Sequence, residues 1–376
     1  MGFLIPSSLK YVRCLSNQLV KWRVLFLLSL ITLTFLTVIY LPILSLPPHR
    51  PKSKFVFMNK HLCVSSAADN ENQRTAVIVV LSSRKNFYRR NLVRQTYGTV
   101  KNANNVRILT IIFVLANSNG QEDDEANNNK LKEEADRYGD VIMGDFVDAY
   151  RNLTLKTIMA YDWITSYCRQ AQIVVKTDDD VLVNIFELTR QLDSFSPADM
   201  VSSNIWCKLH QNENTVNDTE SRFYASPVDF PSGKFPDHCA GVGYITPFHV
   251  IERIVDDISR SFVGRVCTHE DVFMTAIVPT HINSNATFFS RWSEPIKLVD
   301  VKGDHWFNYA FENGRDDQDN FLRNFVKNTT MDADVENFHS LRRRSRNTKF
   351  FLFTHSGEFE VLYRRLWQII KKTFSN

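Results

Sequence analysis

The stretch QIVVKTDDDVLVN, residues 172–184, decides the fold. Its first half is a β-branched apolar run of the length expected for a strand buried within a sheet. Its second half places Asp178, Asp179 and Asp180 where that strand should open into a crevice. Three like charges so close repel strongly unless a cation or hydrogen-bond donors compensate. A hard divalent ion, Mn²⁺ or Mg²⁺, held through a carboxylate and the phosphates of a nucleotide is one economical arrangement. A solvated acidic turn is another. An EF-hand is excluded, because the following residues lack its glycine and its closing glutamate.

Upstream of this stretch, residues 153–168 carry apolar or aromatic side chains at a 3.6-residue period, which predicts an amphipathic helix leading into the strand. Residues 75–81, TAVIVVL, and residues 106–116 are further apolar runs of the kind buried on both faces of a parallel sheet. Residues 87–97 read as a helix between them, and residues 117–129 as a loop rich in Asn and acids. Another helix then leads to a short strand at 140–143. Alternation of this kind predicts a layered α/β fold with its ligands at the carboxyl ends of the strands.

Residues 24–46, VLFLLSLITLTFLTVIYLPILSL, carry no charge and are long enough to cross a hydrocarbon core of about 30 Å. The run exceeds the apolar region of a cleaved signal peptide, so it reads as a transmembrane signal-anchor. Basic residues flank it nearly equally; the bulk of the chain and the sequons at Asn152, Asn217, Asn285 and Asn328 all follow it, favouring a type II orientation. The expected organisation is a cytosolic tail at 1–23, the anchor at 24–46, a stem rich in Pro, Lys, Ser and Asn at 47–73, and a lumenal domain at 74–376. The net charge is +4, and the one basic cluster, Arg342-Arg343-Arg344-Ser345-Arg346, reads behind an anchor as a solvated loop and not as a nucleic-acid site. Of six cysteines, Cys14 falls on the cytosolic side. Cys63, Cys168, Cys207, Cys239 and Cys267 are expected to form one or two disulfides, with a spare thiol in the stem. No spacing matches a structural zinc site of the CxxC type.

Several ordered blocks carry more than composition does. RRNLVRQTYG at 89–98, DFVDAYRNLTLKT at 145–157, the KTDDDVLVN run at 176–184, FPDHCAGVGY at 235–244 and EDV at 270–272 resemble, in order and spacing, the β-1,3-galactosyltransferase family, glycosyltransferase family 31. The resemblance covers roughly residues 74–278, with Tyr97 where the family commonly has Trp. It implies a GT-A fold, a mixed central sheet flanked by helices, and a metal-dependent, inverting transfer of galactose from UDP-galactose. The implied linkage is β-1,3, the acceptor a glycan on a glycoprotein or glycolipid, and the station a Golgi membrane. A β-1,3-N-acetylglucosaminyltransferase on the same fold, and an inactive lumenal chaperone or glycan-binding relative, are the alternatives; an inactive relative should have lost Asp180 or Asp271, and both are present.

The resemblance also distributes roles. Asp271 is the expected catalytic base, with Glu270 orienting it or holding the acceptor. Asp180 is the expected direct metal ligand, completed by His355 after the FFLF run; His281 and His305 compete for that place. Asp178 and Asp179 belong to the donor site, Asp178 at the metal or the ribose. Gly241 and Gly243 are expected to let a sugar approach the backbone. Arg90 and Arg94 would pair with the diphosphate or with the loop containing Asp145 and Asp148. The Asn152 side chain is expected to cap the helix that follows it. Thr275 stands where the family commonly has Gly, and residues 316–349 look like a polar insertion.

Overall fold

The computed structural model describes residues 23, 26–32, 34, 53–63, 73–118, 124–260, 266–284, 295–300, 351–353 and 359–374. Contacts divide the chain into two units, Met1–Arg50 and Pro51–Asn376. In the first, residues 26–32 are helical, and the expected anchor, tail and Cys14 lie largely outside the described residues. Among the described residues no helix is long and apolar enough to cross a membrane. The basic cluster at 342–346, His305, His355, Asn285, Asn328 and the stretch 316–349 also lie outside them.

The second unit is α/β. Its strands are β1 (Phe55–Phe57), β2 (Arg74–Leu81), β3 (Asn102–Ala103), β4 (Val106–Asn117), β5 (Val141–Val147), β6 (Ile173–Asp178), β7 (Val181–Val183), β8 (Asn204–His210), β9 (His238–Pro247), β10 (Lys297–Asp300) and β11 (Phe351–Phe353). The main helices are α1 (Phe87–Gln95), α2 (Asp124–Tyr138), α3 (Leu153–Tyr167), α4 (Ile185–Ser194), α5 (Phe248–Arg260) and α6 (Phe359–Phe374). Nine strands form one sheet along the path β1-β5-β4-β2-β6-β9-β8-β10, with β3 paired to β4. The β5-β4-β2-β6 core is parallel, whereas β9 runs antiparallel to both β6 and β8, so the sheet is mixed.

Successive residues of a strand point to opposite faces, and both faces here are apolar. Ala76, Ile78 and Val80 join a core with Leu92 and Val93 of α1, Leu131 of α2, and Ile369 and Ile370 of α6. Val77, Val79 and Leu81 join a second core with Ile158 and Trp163 of α3 and Val250 and Ile254 of α5. The unbroken apolar run 76–81 is the direct signature of this double burial.

Local differences from the sequence-based expectation have physical causes. The first helix stops at Gln95, and a 3₁₀ turn follows at Tyr97–Thr99. Gly98 permits that turn, since a Cβ there would lie 2.6 Å from the Val93 carbonyl oxygen. The acid-rich segment expected as a loop to residue 129 is already helical from Asp124. Asn152 does not cap α3; its side chain donates to the Val147 carbonyl at 2.8 Å.

The expected stem at 47–73 is partly built into the domain. β1 pairs antiparallel with β5, and Cys63 forms a disulfide with Cys168 at the end of α3. A second disulfide joins Cys207 and Cys239 on neighbouring strands. The spare thiol is therefore Cys267, buried next to the EDV turn, and not a stem cysteine.

Candidate active site

The strands β2 and β6 are parallel neighbours, with Leu81 in register with Asp178, so the loop after β2 and the acids after β6 emerge side by side. Asp179 is the anchor of the triad. Its amide donates to the Leu81 carbonyl at 3.1 Å. Its buried carboxylate accepts from Ser82 Oγ at 2.6 Å, Asn86 Nδ2 at 2.8 Å and Arg89 Nη1 at 3.0 Å. Asp180 lies beside the same guanidinium, at 3.5 Å from Arg89 Nη1. Burial, then the charges of Asp178 and Asp179, push its carboxyl up to about 7 against the opposing Arg89.

Lys176, buried two residues upstream on β6, joins the triad to the EDV turn. Its ammonium reaches Asp178 Oδ1 at 3.0 Å and Glu270 Oε2 at 3.2 Å, and donates to the Gly241 carbonyl. Burial alone would lower its pKa, but Asp178 and Glu270 reverse the sign and keep it cationic. Glu270 is buried and fully engaged, accepting from Tyr244 OH at 2.6 Å and Thr157 Oγ1 at 2.9 Å on its other oxygen. Its oxygens organise β6, β9 and α3.

Asp271 is half-buried. Its Oδ1 accepts the Val272 amide at 2.9 Å. Its Oδ2 occupies the space that a Cβ on Gly241 would need, 2.9 Å away. Gly241 thus admits the carboxylate of Asp271, where the sequence suggested room for a sugar. Gly243, in register with Thr177 on β6, is a buried position of the sheet. Thr275 accounts for its own departure from the family pattern. Its hydroxyl accepts the Cys239 amide at 3.0 Å and donates to the Asp271 carbonyl at 2.6 Å, tying the turn to β9.

Arg90 and Arg94 meet neither the Asp145/Asp148 loop nor the triad. Arg90, fully buried, pairs with Glu134 at 2.7 Å and donates to the Ser83 carbonyl at 2.6 Å. Arg94 holds Asp140 through two bonds, of 2.8 and 2.7 Å, and Glu134 at 2.7 Å. Arg90 braces the loop that presents Ser82 to Asp179, and Arg94 holds the Glu134 that pairs with Arg90. Asp148 instead pairs with Lys156 Nζ at 2.6 Å, and the same ammonium donates to the Ser82 carbonyl at 2.7 Å. His281 pairs with Asp257 on α5 at 2.9 Å, away from the triad. β11 runs antiparallel to β7 with Phe353 opposite Val181, so the chain reaches the residue after Asp180 just before His355, which is itself outside the described residues.

Arg89, Lys176, Lys156 and Tyr150 were not singled out from the sequence, although each lies inside or beside a quoted block. Tyr150 fronts the charge cluster: burial, then Asp271, push its phenol up to about 12 against Arg222. The Arg222 guanidinium lies 5.4 Å from its ring centre, and Phe223 packs edge-on at 5.7 Å. Only adjacency in space distinguishes these residues from ordinary surface cations and aromatics.

Residues 88–283 match the model of the galactosyltransferase family. Beta-1,3-galactosyltransferase 1 of Homo sapiens and of Mus musculus is 30% identical over 198 residues, which is 53% of this chain and 58% of theirs. The match therefore spans little more than half the length of those relatives. Beta-1,3-galactosyltransferase 5 of Pan paniscus is 32% identical over 219 residues, covering 57% of this chain and 69% of its own.

Proposed function

The chain belongs to the galactosyltransferase family, and from that premise we propose that it is a hexosyltransferase of GT-A fold that moves galactose from UDP-galactose, with inversion, onto a glycan acceptor in β-1,3 linkage. It works as a type II protein on the lumenal side of a Golgi membrane, anchored through residues 24–46. The observation that carries the reading is the meeting of Asp178, Asp179 and Asp180 with Gly241 and the Glu270-Asp271 turn at the end of β6, bridged by Lys176.

The acidic end suits a hard divalent cation, Mn²⁺ or Mg²⁺. Asp179 already accepts from Ser82, Asn86 and Arg89, and Asp180 and Asp178 are the carboxylates proposed to hold an ion. Burial first, and then the like charges of Asp178 and Asp179, raise the Asp180 carboxyl, and a dication would relieve that repulsion. His355, close in sequence to the β11 strand that pairs beside Asp180, is the proposed nitrogen ligand. When bound, the ion would neutralise charge developing on the departing diphosphate.

The chain's own groups supply the rest. Inversion needs one in-line attack by the acceptor hydroxyl, with a carboxylate taking its proton on the face opposite the leaving UDP. Asp271 Oδ2 is the proposed base, seated against Gly241 and steadied by Thr275 and the Val272 amide. Glu270 is a positioning residue, because both its oxygens are committed to Lys176, Tyr244 and Thr157.

The test is an assay of the detergent-solubilised full chain against a panel of UDP-sugars and sugar acceptors, with Mn²⁺ or with a chelator. UDP-galactose turnover that stops on chelation is expected. Preference for UDP-N-acetylglucosamine would reassign the donor. Neither transfer nor hydrolysis of any UDP-sugar would overturn the reading.

A further inference from the structure

Beyond the Asp triad, at the same end of the sheet, three side chains converge where β8 ends and β9 begins. His210, the last residue of β8, stands in register with His238, the first residue of β9, and Glu213 reaches back from the turn that leaves β8. One ligand atom from each lies within 4.8 Å of the other two. Glu213 Oε2 is 2.7 Å from His210 Nδ1 and 3.5 Å from His238 Nε2. The imidazole rings are 5.4 Å apart.

The hydrogen bonding of His238 decides what the cluster is for. Its Nδ1 lies 2.8 Å from the Pro236 carbonyl oxygen, which can only accept, so Nδ1 carries the proton. In the neutral ring, Nε2 then turns a lone pair toward a carboxylate oxygen. Two electron-rich atoms face one another, one on buried His238 and one on exposed Glu213, an arrangement that a cation between them would turn from repulsive to attractive. A ring N–H donated to a backbone carbonyl is also the usual support of a metal-bound histidine, because it fixes the tautomer and the ring plane. The frame is rigid. The Cys207–Cys239 disulfide and the Leu209/Cys239 pairing hold the strands together one step behind the two histidines, and Gln211 Nε2 donates to Asp237 at 2.9 Å one step ahead.

We infer that His210, Glu213 and His238 form a second divalent-metal site, selective for an imidazole-seeking ion of the Zn²⁺ class. Two imidazoles and one carboxylate with room for water make a three-ligand zinc set, whereas Mn²⁺ and Mg²⁺ prefer the all-oxygen triad. The site closes the neck of the excursion between residues 211 and 237. That excursion carries Arg222 and Phe223 onto Tyr150, and His269 Nε2 lies 3.2 Å from the Phe223 carbonyl oxygen. A metal at the neck would hold this contact beside the Asp271 turn.

The test uses the full chain carrying Asp180→Ala, so that the donor-site metal does not contribute. Zinc binding is measured by calorimetry, and geometry by the visible absorption of a Co²⁺-loaded sample. One Zn²⁺ per chain that excess Mn²⁺ does not displace is expected, with a rise in Tm. Adding His210→Ala or Glu213→Gln, both at partly exposed positions, should weaken binding by roughly tenfold or more, with an unchanged circular dichroism spectrum. Absence of zinc binding, or binding equally tight in these variants, would overturn the inference and leave the three side chains as an ion-paired turn.

Discussion

Asp271 and Gly241 show how closely one side chain's role depends on another residue's lack of one. Replacing Gly241 by Ala puts a Cβ 2.9 Å from Asp271 Oδ2 and 3.3 Å from Cγ. The atoms met belong to the end of a flexible side chain, so the carboxylate moves aside at little cost to folding. Gly241→Ala should therefore lower kcat while leaving Tm and UDP affinity close to wild type; an unchanged kcat would mean that the carboxylate is not held there for catalysis. Asp271→Asn removes the base itself, and turnover should fall by roughly 10²–10⁴-fold with donor binding preserved. Asp180→Asn acts on the other half of the site and should abolish metal-dependent UDP binding, read by calorimetry with and without Mn²⁺. The two variants separate proton transfer from donor capture, and identical phenotypes would contradict that division.

At the level of elements, α1 and α2 act as one brace through Arg90, Arg94, Glu134 and Asp140. The brace holds the β2–α1 loop, and the loop holds Asp179. Burial raises the Glu134 pKa, but the Arg90 and Arg94 guanidinia outweigh it and hold the carboxyl below its ordinary range. A folded-state pKa below the unfolded one stabilises the fold above about 4.3, and that contribution is lost as pH falls through the folded value. Glu134→Gln should cost about 3 kcal/mol near neutral pH by leaving buried Arg90 uncompensated. Its Tm should approach that of the wild type in acid, where Glu134 is protonated anyway; a gap that stays constant with pH would rule out the ion pair as the cause. That two helices lie here was legible in the sequence, but their partners were not. Arg90 and Glu134 are neighbours only because α1 and α2 pack on the same face of the sheet.

Across the whole second unit, the Cys63–Cys168 disulfide closes a sequence separation of 105 residues and fastens the segment before β2 to the end of α3. Replacing both cysteines by Ser should lower stability by about 2–4 kcal/mol, measured by denaturant unfolding, with the site residues in place. An unchanged midpoint would show that β1 pairing and the Trp163 contact to the Asn59 carbonyl, 3.2 Å, hold that segment unaided. The sequence by itself determined the alternation of strands and helices, the double burial of residues 76–81, the placement of the acids at a strand end and the family. These are local properties, set by side-chain period and by the order of residues along one chain. Tertiary structure alone decided that Arg89 and not Arg90 reaches the triad, that Lys176 bridges Asp178 to Glu270, that Gly241 makes room for Asp271, and that His210 meets His238. Each of those depends on register between strands and on which face a helix covers, and sequence spacing does not encode either.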